Sequence, residues 1–216
     1  MQYSTLLKCL VGGLVLTSLI TAQAETIEFK AKPGSKVVIK GDSTMHAWTV
    51  EGSLIGGSAK IGDGFPLEPG QSVNPGRIEA TVEAKIPITS LRSVKDGKPY
   101  STKMDEVMRE KLGAPTEKFI TYTLDELTLK ESAADAASPY KFDSKGKLVV
   151  AGVTNDIALP VEVTLMEAGK VKFATAADLK MSDFKVEPPA LTVLGIGIKT
   201  DDAVQVSIEW LTERSK

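Results

Sequence analysis

The stretch RIEATVEAKIPIT, residues 77–89, decides the fold class. Ile78, Ala80, Val82, Ala84, Ile86 and Ile88 share one parity, while Glu79, Thr81, Glu83 and Lys85 take the other. Successive side chains of a strand point to opposite faces, so the alternation gathers apolar groups on one face and charge on the other. It predicts a half-buried antiparallel strand with its apolar face turned to a core.

The same beat recurs outward along the chain. In DIALPVEVTL (156–165) it is carried by Ile157, Leu159, Val161, Val163 and Leu165. VKFATAADLKM (171–181) keeps Val171, Phe173, Leu179 and Met181 in phase, and AVQVSIEW (203–210) keeps Val204, Val206, Ile208 and Trp210. Shorter runs fit too: TIEFKA from 26, KVVIK from 36, YKFDSKGKLVV from 140 and LGIGIK from 194. In KFITYTLDELTLK (118–130) the phase slips, since Ile120, Tyr122 and Leu124 are out of step with Leu127 and Leu129. The slip falls at Asp125-Glu126, and one extra residue there predicts a bulge that bends the strand.

STKMDEVMREKLG (101–113) alone has a clear helical period, with Met104, Val107, Met108 and Leu112 on one face. Ser101 or Thr102 is placed to cap it, Thr102 with Asp105 resembles a capping box, and Gly113 then Pro115 end it. Residues 53–76, rich in Gly and Pro, read as a long surface loop, and ESAADAASP (131–139) as a small-residue loop. Pro188-Pro189 reads as a turn, Gly195 and Gly197 as a bend or close packing, and Asp201-Asp202 as a hairpin turn. Many short-spaced strands with charge outside argue for an all-β antiparallel barrel or sandwich. Closure removes exposed edges and favours the barrel, which at eight strands encloses one small ligand.

Residues 1–24 carry Lys8, an apolar run from Cys9 to Ile20 and a small-x-small Ala22-Gln23-Ala24. This predicts a signal peptide, removed before folding, and a domain over 25–216. Removal takes the only cysteine with it, so the exported domain has neither disulfide nor thiol nucleophile. Acidic residues outnumber basic ones, 28 to 26, and no basic stripe appears, which argues against a nucleic-acid partner. No other run is long and apolar enough to span a membrane. No catalytic set, metal-binding spacing or cofactor motif is found: there is no G-x-S-x-G elbow, and one histidine with no cysteine makes a poor metal site.

The mature chain resembles the YceI-like family of exported lipid-binding barrels. GDSTMHAWTVEGSL (41–54) is similar to the family's first strand with its Ser/Thr-x-His element, and IPITSLRS (86–93) to the strand leading into its helix. MDEVMREKLGAPTEKFITY (104–122) resembles that helix and the strand after it, although Glu117-Lys118-Phe119 replaces the family's usual proline and Tyr122 stands where Phe is common. GKLVVAGVTNDIALPVEV (146–163) resembles the central hairpin, and the Asp-Phe, Pro-Pro and K-T-x-D-x-V elements after residue 178 resemble the closing segment. The resemblance implies a lipocalin-like barrel of about eight antiparallel strands. It also implies an apolar tunnel for an isoprenoid chain, such as a polyisoprenoid or quinone tail, and a periplasmic location.

Parity nominates a set of wall residues as ligand contacts. They are His46, Trp48, Ile86, Ile88, Ile120, Tyr122, Phe173 and Leu179, with Met104, Val107 and Met108 from the helix. His46, the only histidine, shares parity with Trp48 and Val50 and is expected to face inward. There it is either a wall residue tied to a carbonyl or to Ser43 or Thr44, or a polar contact for a ligand head group. Two other readings compete with a lipid carrier: a lipid-modifying enzyme, and a filled barrel whose 53–76 loop meets a protein partner. Oligomeric state is left open.

Overall fold

The computed structural model describes residues 26–193 and 196–215. The signal peptide expected over 1–24 lies outside them. In chain order the strands are β1 (Ile27–Ala31), β2 (Lys36–Ser43), β3 (Trp48–Gly52), β4 (Gly56–Ile61), β5 (Gly76–Ile78), β6 (Ala80–Pro87), β7 (Arg92–Lys95), β8 (Lys98–Pro99), β9 (Phe119–Glu131), β10 (Tyr140–Val150), β11 (Val153–Leu165), β12 (Lys170–Lys180), β13 (Ala190–Val193) and β14 (Ile196–Arg214). Helix α1 (Thr102–Lys111) stands between β8 and β9.

The ring β1-β4-β6-β9-β10-β11-β12-β14 closes because β14 pairs back to β1, giving an antiparallel barrel of eight strands. Further along β14 the wall continues through β2, β3 and β7, so β1 with β2, β4 with β3, and β6 with β7 form three interrupted walls. Parity holds where the alternation predicted strands. Ile78 and Ile86 are buried, Val82 and Ala84 are half-buried, and Glu79, Thr81 and Glu83 are exposed. The predicted bulge is present: Lys145 faces Glu126 and Gly146 faces Leu124, leaving Asp125 without a partner on β10. The β10–β11 hairpin turns through Ala151 and Gly152, both at positive φ, the conformation that suits a two-residue turn between twisted strands.

One seam is incomplete. β11 pairs with β12 only from Glu162 to Leu165, against Val171–Ala174. The next position on β11 with its backbone turned toward β12 is Pro160, whose carbonyl accepts a 2.6 Å bond from Thr175 Oγ1. A residue's N and C=O point to the same side of a strand, so the missing N–H of Pro160 also faces β12 and the ladder loses its next donor. Beyond it the two strands part, and Met181–Phe184, a short 3-10 turn, lies beside them, with Asn155 Nδ2 donating to the Asp183 carbonyl at 2.8 Å.

Four expectations are corrected. The 53–76 stretch is not a surface loop, because it contains β4 and buries Ile55, Phe65 and Pro66. Asp201-Asp202 does not turn the chain; it lies within β14, where the register against β2 shifts, and Asp202 accepts bonds from Ser182 N (2.7 Å) and Oγ (2.5 Å). Asp105 does not close a capping box with Thr102. Ser101 caps α1 by accepting from Met104 N, and the buried Asp105 accepts from Ser93 N at 2.6 Å, tying α1 to β7. GDSTMHAWTVEGSL is not one strand, since Thr44–Ala47 form the turn between β2 and β3.

Candidate functional site

The interior is divided along the barrel axis. At the base Phe65 packs against Phe29, Phe142 and Phe173, with ring centroids 5.7, 5.9 and 6.4 Å apart. Tyr140 completes this plug, its hydroxyl donating to the Gln71 carbonyl at 2.8 Å and so fastening the loop that carries Phe65. Above Phe173 and Trp210, which lie 5.6 Å apart and form the floor, the barrel is hollow. The cavity measures about 640 Å³, within the range of small-molecule sites. From Trp210 to Val204, β14 climbs roughly 20 Å at the rise of a strand.

The same strands build both halves. On β11 Ile157, Leu159 and Val161 line the cavity, while Val163 and Leu165 join the solid base. On β9 Ile120, Tyr122 and Leu124 line it above the Asp125 bulge, and Leu129 is base below it. The bulge lets one long strand keep apolar groups inward through both halves. Across the open end lies α1, presenting Met104, Val107, Met108 and Leu112 to the cavity. Methionine is a flexible, polarisable lining that fits irregular apolar shapes.

One polar chain interrupts the wall. Tyr122 Oη donates to Ser144 Oγ at 3.1 Å, and Ser144 Oγ donates to the Leu159 carbonyl at 3.1 Å. Burial pushes the Tyr122 phenol up from its ordinary value; the Ser144 bond draws it back in part and the Asp125 charge adds to the rise. The satisfied hydroxyl is therefore a neutral wall group.

Of the nominated contacts, Trp48, Ile86, Met104, Val107, Met108, Ile120, Tyr122, Phe173 and Leu179 all line this cavity. Ile88 does not. Pro87 ends β6, and Ile88–Ser90 form a 3-10 turn that breaks the parity and buries Ile88 completely away from the cavity. His46 lines the rim, but in an exposed turn and not from an inward strand position. Its Nδ1 lies 2.8 Å from the Ala47 carbonyl and its Nε2 3.4 Å from Tyr100 Oη, the two rings meeting edge to face. Trp48 stays on its predicted side, its indole against Gly41 and Nε1 donating to the Asp42 carbonyl at 3.1 Å.

Strand parity also held the signal for Leu159, Val161, Val206 and Ile208, which line the wall beside the nominated residues. Ser144 shares the parity of Tyr140, Phe142 and Leu148 on β10 and reaches the interior from a regular strand position. Tyr100 carried no such signal, because it reaches the rim from a place set by tertiary folding. Among the described residues no group of three or more His, Cys, Asp or Glu side chains is gathered so as to hold a metal ion. No described helix is long and apolar enough to cross a membrane.

Comparison with known proteins bears on this architecture. Two solved structures share the fold. One is a polyisoprenoid binding domain from Saccharophagus degradans, described as implicated in plant cell wall breakdown, with a TM-score of 0.60 at 14% identity over 87% of this chain and 98% of that one. The other is BcnA from Burkholderia cenocepacia, with a TM-score of 0.56 at 17% identity over 82% of this chain and 95% of that one. The curated protein sequences give no match. The sequence profile of the YceI-like domain matches residues 20–210, so a one-ended apolar barrel crossed by an amphipathic helix is here the work of a chain that belongs to the YceI-like family.

Proposed function

We propose that this protein is an exported carrier that holds the apolar chain of an isoprenoid lipid in the upper half of its barrel, in the periplasm. The observation that carries this reading is the half-hollow interior. The base is packed with aromatic rings, yet the sequence keeps Leu, Ile, Val and Met around an empty volume above it. A chain entering that volume leaves water for an apolar wall, each methylene contributing about 0.8 kcal/mol. The depth above the floor suits a chain lying lengthwise better than a compact ring system. Membership of the YceI-like family supports the reading, as does the structural likeness to a domain described as polyisoprenoid binding.

Filling the cavity tests it. Ala84 and Ala177 are small lining residues on opposite sides of the barrel. Ala84→Phe and Ala177→Phe occupy the path of the chain from inside. The expected result is that each variant folds and takes up a radiolabelled polyprenol at least about tenfold more weakly. Undiminished uptake by both folded variants would place the lipid elsewhere.

A further inference from the structure

The side wall of the barrel is open where the barrel is hollow. The paired part of the β11–β12 seam, Glu162–Leu165 against Val171–Ala174, lies at the floor and below it, with Val163 opposite Phe173. Above the floor β12 has no partner on β11 among the described residues, although it stays paired with β14, Thr175 opposite Ile208 and Leu179 opposite Val204. From Thr175 to Lys180 this free edge is roughly 17 Å long at the rise of a strand. The gap therefore runs nearly the full height of the cavity. Ile157 and Leu159 on one side of it, and Ala177 and Leu179 on the other, line the cavity.

At its upper end the gap is bridged by a strap, Met181–Val186, which leaves β12 and touches both β11 and β12. Phe184 and Val186 of the strap are buried and line the cavity, yet neither belongs to the packed core. Among the described residues the strap's backbone-to-backbone bonds stay within it, Lys185 N donating to the Ser182 carbonyl and Val186 N to the Met181 carbonyl. Three exposed bonds hold it to the barrel: Asn155 Nδ2 donates to the Asp183 carbonyl, and Ser182 N and Oγ donate to the Asp202 carboxylate. The helix over the mouth is fixed more firmly. Its buried Asp105 accepts from Ser93 N, and Met104, Met108 and Leu112 pack against the core. Segments with few core contacts and exposed hydrogen bonds open at the lowest cost, so the strap yields before α1 does.

We propose that the strap Met181–Val186 is a lateral gate: it swings away from Asn155 and Asp202, joins the β11–β12 gap to the mouth, and lets the lipid chain pass sideways through the wall. The proposal rests on the carrier reading above and adds the route by which the chain enters and leaves. Opening breaks no strand-to-strand hydrogen bond, because the ladder already ends at Pro160. A slit as tall as the cavity admits a chain along its whole length, whereas end-on entry would thread it past α1 one segment at a time. A gate of this kind sets the rates of entry and exit alike and leaves the affinity, which depends on the closed end states, unchanged.

Both tryptophans of the chain, Trp48 and Trp210, line the cavity, so their emission reports occupancy. The test follows farnesol uptake by stopped-flow tryptophan fluorescence, with Kd from titration. An Asn155→Cys/Asp183→Cys variant, made with Cys9→Ser so that no other cysteine is present, ties the strap to β11 when oxidised and frees it when reduced. The expected result is uptake at least about tenfold slower in the oxidised form, with the same Kd in both. An Asn155→Ala/Asp202→Ala variant, which removes the bonds that hold the strap, should take up farnesol about threefold faster than the wild type. Equal rates in the two forms, with the disulfide confirmed by thiol titration, would send the chain past α1 and overturn the gate while leaving the carrier reading intact. A weaker Kd in the oxidised form would make the strap part of the binding wall, and would overturn the gate too. Where the disulfide does not close, the alanine variant decides, and a wild-type uptake rate overturns the gate. Farnesol bound by none of the proteins would overturn the carrier reading, and the gate with it.

Discussion

Gly146 on β10 and Tyr122 on β9 share one space. A methyl group at 146 would stand 2.8 Å from both the ring Cζ and the Oη of Tyr122, and would collide with the Thr123 carbonyl. The missing side chain lets the phenol lie across β10 and reach Ser144. Gly146→Ala is therefore expected to destabilise the protein by about 1–3 kcal/mol, the usual cost of overpacking. The check is a denaturant titration, and a midpoint unchanged from the wild type would contradict the packing described.

The raised Tyr122 phenol makes a pH prediction. A phenol whose folded value lies above its unfolded one, near 10, adds stability that is complete below that value and is lost as pH rises through the folded one. Tyr140 is displaced the same way, burial outweighing its bonds to backbone. Stability should hold up to about pH 10 on this count and fall above it. Tyr122→Phe should show a shallower alkaline fall, with only about 0.5–1.5 kcal/mol lost at neutral pH for the Ser144 bond. Parallel alkaline curves for the two proteins would count against it.

Phe65 closes the base from within a stretch whose sequence looks like loop. Removing its ring leaves Phe29, Phe142 and Phe173 facing a void, so Phe65→Ala should cost about 3–5 kcal/mol, as large aromatic truncations in cores do. A thermal melt measures it. A loss no larger than that of a surface substitution would show that the base holds without its plug.

How much of this was legible in the sequence depends on whether a residue obeys a local period. Ile78 through Ile86 and Val204 through Trp210 follow the two-residue beat, the Asp125 bulge shows as a break in it, and the barrel wall follows from them. The Met104, Val107 and Met108 stripe follows the helical beat in the same way. Phe65 belongs to no period; a single aromatic among Gly and Pro gives no hint that it anchors a core. His46 was misplaced because parity was carried through a turn that Ser43 stabilises by accepting from Met45 N and His46 N. Asp201-Asp202 has turn chemistry, but Asp202 spends it on Ser182.

The open seam beside Pro160 predicts a pattern of hydrogen exchange. Thr154, Asp156 and Ala158 share the parity of Pro160, so their amides point toward β12, where no ladder meets them. Ile157, Leu159 and Val161 point toward β10, with which β11 pairs from Val153 to Val163. Amide exchange by NMR should be fast for the first group and slow for the second. Equal protection along 154–161 would mean that the seam is closed.

The central claim is that the upper barrel is a lipid site. Native mass spectrometry of the protein, followed by organic extraction of whatever it carries, addresses that claim most directly. The account predicts one extra mass per chain that extracts as an isoprenoid lipid and disappears in the Ala84→Phe and Ala177→Phe variants. A bare chain mass, with no added mass after incubation with polyprenols or polyprenyl phosphates, would contradict it.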